Sequence, residues 1–295
     1  MALISRLAVL ARESAEPEDI LGESLAVIFP DDVMVQHGDP DHALMWTSPH
    51  LPRPLRLARA EPPDRDDRYL FSHYLWNASL LLAELVEAGT LGVPLAALSG
   101  LGAPPPPRPS GGSGTGTSAR RRSDEAGGVE YAEKEEAGND DTDSENGTRW
   151  ARNVAANLPL SPPAACPAEV HGHEWGDLSS PFAARNRGAF DRVMSCDSLW
   201  MPWQHANLRR SVGWFLAPGP EARAWVVACF DTGRVQMRDF FDAEALRADA
   251  GLEVERIRER GCDGVEREWV WGAGPEDVSE RKRWLVVAVL RRVRD

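Results

Sequence analysis

The sequence predicts an α/β protein, a sheet with helices on both faces and an antiparallel strand near its end. Three observations carry that expectation. Strand-like and helix-like segments alternate after Pro159. Two strand-like runs, Arg223 to Phe230 (RAWVVACF) and Arg283 to Leu290 (RWLVVAVL), are apolar without alternation, as strands buried on both faces are. A long polar tract separates these elements from an earlier apolar helix. The tract, residues 104–148, opens PPPPRPSGGSGTGTSARRRS and holds ten acidic and five basic residues, so it is expected to be a disordered acidic insertion.

The elements follow in order. Residues 1–13 (MALISRLAVLARE) are interrupted by Arg6 and Arg12, which favours a short amphipathic helix over a signal peptide. Tyr69 to Gly89 (YLFSHYLWNASLLLAELVEAG) is apolar on more than one face and ends at a glycine, as a buried helix does. Arg149 to Leu158 reads as a helix stopped by Pro159. Ala168 to Trp175 and Phe190 to Cys196 read as strands, His205 to Leu216 and Arg234 to Ala250 as helices, and Leu252 to Arg258 as an alternating strand.

Composition narrows the function. The 295 residues carry 33 Lys and Arg against 46 Asp and Glu, a net charge of −13 that repels phosphate backbones, so no nucleic-acid partner is expected. The cysteines (Cys166, Cys196, Cys229, Cys262) form no C-x-x-C pair, which fits a reduced, cytoplasmic setting. No apolar run reaches the roughly 18 residues of a membrane span, so the chain is expected to be soluble without a membrane partner.

In an open α/β sheet ligands bind beyond the carboxyl ends of the strands. The residues there are Trp175-Gly176-Asp177 after one predicted strand and Asp197-Ser198-Leu199-Trp200-Met201-Pro202-Trp203 after the next. Tryptophan stacks on flat heterocycles, and a carboxylate binds ribose hydroxyls or orients an amine.

RYLFSHYLWNASLLLAEL (Arg68 to Leu85), GVPLAALSGLGA (Gly92 to Ala103), RNVAANLP (Arg152 to Pro159), HGHEWGD (His171 to Asp177) and FDRVMSCDSLWMPWQH (Phe190 to His205), followed by the tail from WFLAPG, occur in an order that resembles the fungal nicotinamide N-methyltransferase-like proteins. These are S-adenosylmethionine-dependent methyltransferases, related to enzymes that methylate lysines or the N-terminal amine of a translation elongation factor. The resemblance implies a Rossmann-like seven-strand sheet over residues 68–295, with residues 1–67 as an N-terminal extension. It implies S-adenosylmethionine as cofactor, held by Trp76, Trp175 and Cys196, and an acceptor channel lined by Asp197 and Trp200, where relatives carry Tyr or Phe at the second position.

The departures lie upstream. The family's first strand and glycine-rich turn are missing: EAGTL (Glu87 to Leu91) runs straight into GVPLAALSG, leaving Gly89 and Gly92 as the candidates for cofactor contact. The ribose-binding acid has only Asp143, within the polar tract, as a counterpart by order. Plainer roles stand beside these. Trp76 and Cys196 suit ordinary packing, Asp197 suits a helix cap, and His171 and His173 lack a third metal ligand, so no metal is expected. The SGGSGTGTS run has no flanking strand for a nucleotide loop, and Arg120 to Arg122 read as a solvated cluster. The expected function is N-methylation of a protein lysine or N-terminal amine. The alternatives are an inactive scaffold of the same fold, favoured by the missing glycine turn, and a small-molecule N-methyltransferase of the nicotinamide type.

Overall fold

The computed structural model describes residues 3–10, 35–38, 43–51, 53–58, 74–89, 153–154, 156–157, 169–271 and 277–294. The polar insertion, Gly92, Asp143 and Cys166 lie outside the described residues.

Among the described residues, five short strands come first: β1 (Leu7–Val9), β2 (Gln36–His37), β3 (Leu44–Trp46), β4 (Leu55–Leu57) and β5 (Leu75–Trp76). β1, β3 and β4 form an antiparallel sheet, and β2 pairs with β5. Helix α1 (Asn77–Glu87) follows β5 directly. The predicted helix therefore starts at Asn77, because Leu75 and Trp76 are drawn into extended pairing with His37 and Gln36. Residues 153–154 and 156–157 are helical, within the helix predicted over 149–158. One turn apart on that helix, Asn153 and Asn157 each accept from and donate to the backbone of Ala58 and Arg56, at 2.8–3.0 Å. They satisfy the outer edge of the small sheet in place of another strand.

The second half supplies helix α2 (Pro181–Arg185), β6 (Arg192–Cys196), α3 (His205–Phe215), β7 (Arg223–Cys229), α4 (Arg234–Met237), α5 (Ala243–Ala250), β8 (Leu252–Gly261), β9 (Glu266–Glu268), α6 (Val278–Lys282) and β10 (Trp284–Arg292). The main sheet runs β6-β7-β10-β8-β9. β6 and β7 are parallel, while β10 lies antiparallel to both β7 and β8, which bears out the antiparallel strand expected near the end. The described residues thus form a mixed α/β fold with a five-stranded main sheet, and the seven strands implied by the resemblance are not shown among them.

β7 and β10 are buried on both faces, as their unbroken apolar sequence predicts. Ala224, Val226, Ala228, Val286, Ala288 and Leu290 face a core shared with Leu208 and Val212 of α3, Phe240, Phe241 and Leu246. Trp225, Val227, Leu285, Val287 and Val289 face a second core with Leu81, Leu82 and Leu85 of α1, together with Leu3 and Trp46. Glu87 ties the N-terminal strands to this layer: it accepts from Arg6 at 2.7 Å and from the Trp46 indole at 3.0 Å.

Two predicted elements differ. The segment 169–175 is not a strand, since its backbone pairs with no neighbouring strand. It turns at Asp177, whose N–H donates to the Glu174 carbonyl, and Gly176 N–H donates to the Ser211 hydroxyl on α3. The helix expected over 234–250 breaks at Asp242, whose carboxylate caps α5 by accepting from Ala245 N–H at 2.9 Å.

Glu259, on β8, is fully buried. Burial pushes its carboxyl up, but hydrogen bonds from Arg234 and Arg267 outweigh that and hold it low. Arg234 lies over Phe230 and Arg267 over Trp284. Glu259→Ala removes the buried carboxylate that Arg234 pairs with, and urea denaturation is expected to show a loss of about 3–5 kcal/mol. A loss below about 1 kcal/mol, typical of an exposed pair, contradicts the buried Arg234–Glu259 pair.

Candidate functional site at the carboxyl ends of β6 and β7

β6 ends at Cys196, and the chain turns at Asp197, a non-glycine residue in the left-handed region at φ 53°. Aspartate tolerates this backbone better than most residues because its short side chain bonds locally. Here the side chain does so across strands. Asp197 N–H donates to the Val227 carbonyl at 2.8 Å, and its Oδ1 accepts from Cys229 N–H at 2.9 Å. The carboxylate thus substitutes for the strand carbonyl that β6 no longer offers beside the end of β7.

The adjoining strand contributes Cys229 and, two residues on, Asp231. Ligand atoms of Asp197, Cys229 and Asp231 lie within 4.8 Å of one another. Burial, followed by the charge of Asp231, pushes the Asp197 carboxyl up to about 7, against the Cys229 N–H that favours the anion. Burial raises Asp231 too, with Arg281 and Lys282 of α6 pulling the other way. Arg281 donates to the Asp231 carbonyl at 2.9 Å. The donor set of the cluster is one that an ammonium or a metal ion can meet.

Both thiols are resting. Burial, then the Asp197 charge, pushes Cys196 up to about 12, and burial holds Cys229 well above the ordinary thiol range. Neither ionises at neutral pH, which rules out a thiolate nucleophile here.

The structure separates the residues that the sequence singled out. Trp76 is the last residue of β5 and precedes α1, whose Ser79 hydroxyl sits 3.5 Å from Cys196 Sγ. The start of α1 therefore brings Trp76 to the end of the sheet that holds Cys196 and Asp197. Gly89, at φ 70°, follows the other end of α1, roughly 15 Å along the axis from Ser79 at 1.5 Å per residue. Trp175 is 4% exposed and belongs to the core under α3, on the face of the sheet opposite Cys196. Gly176, at φ 88°, is filled on its open side: an added Cβ would meet Asn207 Oδ1 at 2.7 Å, so close backbone approach there serves α3 and not a ligand. Trp200 is half-buried and meets Trp203 edge to face at 6.5 Å between ring centroids. Trp203 is 69% exposed beside this end of β6.

The two histidines are engaged separately. His171 bonds Glu169 at 2.8 Å and stacks on Phe182, while His173 bonds the buried Ser211 hydroxyl at 2.9 Å and burial lowers its pKa.

Asp231 and Cys229 were absent from the sequence-derived candidates. The rule that singled out Asp197 applies equally to Asp231, which follows RAWVVACF directly. Their convergence with Asp197 needed the parallel register of β6 and β7, which pairs Cys196 with Val227.

No family model matches the chain. No curated protein matches it either. Among solved structures, similar chains include an S-adenosylmethionine-dependent methyltransferase from Methanosarcina mazei, at 15% identity and a TM-score of 0.32, covering 52% of this chain and 80% of that one. A 16S rRNA (adenine(1408)-N(1))-methyltransferase from Catenulisporales acidiphilia is 14% identical with a TM-score of 0.31, over 50% of this chain and 72% of its own. A geranyl diphosphate methyltransferase in complex with S-adenosylmethionine is 15% identical with a TM-score of 0.29, over 50% of this chain and 64% of its own. All three neighbours are methyltransferases, and two are named for different substrates, an rRNA adenine and geranyl diphosphate. No helix among the described residues is long and apolar enough to cross a membrane.

Two outcomes follow. The Asp197 carboxyl is raised from an unfolded value near 3.8 to about 7, so its contribution to stability is complete below about pH 3.8 and is lost as the pH rises to 7. Asp197→Asn keeps the Oδ1 acceptor and removes the charge. Thermal melts are expected to show the variant up to about 4 kcal/mol more stable at pH 8, on the order of 10 °C in Tm, and indistinguishable from wild type at pH 4. An equal difference at both pH values contradicts the electrostatic account. Gly176→Ala, strained at its positive φ and crowded by Asn207, is expected to cost about 1–3 kcal/mol in urea denaturation, and a neutral result contradicts that packing.

Proposed function

We propose that the protein is an S-adenosylmethionine-dependent N-methyltransferase acting on a protein lysine or N-terminal amine. The observation that carries the reading is the Asp197 and Asp231 carboxyl pair beside the parallel strand ends. The ordered sequence motifs support it independently.

S-adenosylmethionine supplies an electrophilic methyl group on a sulfonium, so the protein's work is positioning and proton management. Trp76 and Cys196 are the residues gathered at this end that fit the cofactor's side of the site. An incoming ammonium is held by the carboxyl pair, whose shared charge is fixed in place by the Cys229 N–H. To attack, the nitrogen must lose a proton. A carboxyl raised to about 7 accepts it far more readily than an ordinary carboxylate.

The test is calorimetric titration of the full chain with S-adenosylhomocysteine, followed by methyl transfer to lysine-containing proteins. Binding near micromolar Kd, about −8 kcal/mol, weakened about tenfold in Trp76→Ala, is expected. Asp197→Asn is expected to leave that affinity within about twofold while cutting turnover at least about tenfold. Absence of heat from a demonstrably folded chain overturns the enzyme reading in favour of an inactive scaffold. Cofactor binding with transfer only to small pyridines overturns the protein-amine substrate.

A further inference from the structure

We draw no further inference here: the strongest candidate, the Asp197, Cys229 and Asp231 side-chain cluster at the carboxyl ends of β6 and β7, belongs to the site already described, and no second observation among the described residues points to another ligand on it.

Discussion

Burying β7 and β10 on both faces takes every apolar side chain of two adjacent strands except Trp284 out of water, so a helical layer is required on each side. At about 25 cal/mol per Å² of apolar surface, this is the largest favourable term available to the fold. It explains why α3 and α5 cover one face and α1 the other. It also explains why the N-terminal strands dock where they do: α1 has a further surface to cover, and Leu3 and Trp46 join its core. Close packing is visible at Gly213 on α3, where an added Cβ would fall 2.6 Å from the Ala250 carbonyl of α5. A larger residue there forces the two helices apart.

The carboxyl end of the sheet runs against these economies. A left-handed aspartate and two part-buried carboxyls brought close together each oppose folding, and the described residues offset them with one backbone N–H and the nearby cations of α6. Structural need does not call for this arrangement, since an asparagine in the same conformation makes the same Oδ1 bond without the charge. A destabilising group held firmly where strands end is the pattern expected when chemistry and stability compete.

Elsewhere charges are paired. Arg223 meets Glu255, Arg209 meets Asp249 and Arg260 meets Glu84, each pairing arginine with an acid of a neighbouring element. β9, the outer strand, is an exposed Glu-Arg-Glu whose charges discourage edge-to-edge association. The acidic excess of the whole chain leaves the carboxyl pair in a field that draws cations rather than phosphates.

The sequence by itself determined the elements whose signal is local. RAWVVACF and RWLVVAVL could only satisfy their apolar pattern as doubly buried strands, and HANLRRSVGWF keeps helical spacing throughout. Asp197 was legible because it follows such a strand. Local pattern failed where a partner elsewhere in the chain decided the outcome. Leu75 and Trp76 left the helix because Gln36 and His37 offered strand pairing, and residues 169–175 alternated like a strand but found side chains of α3 instead of a sheet neighbour. Tertiary structure alone set Trp175 and Cys196 on opposite faces, put Gly89 at the far end of α1, and brought Asp231 to Asp197. Distance along the chain carries no record of parallel register, and it is register that places two strand ends side by side.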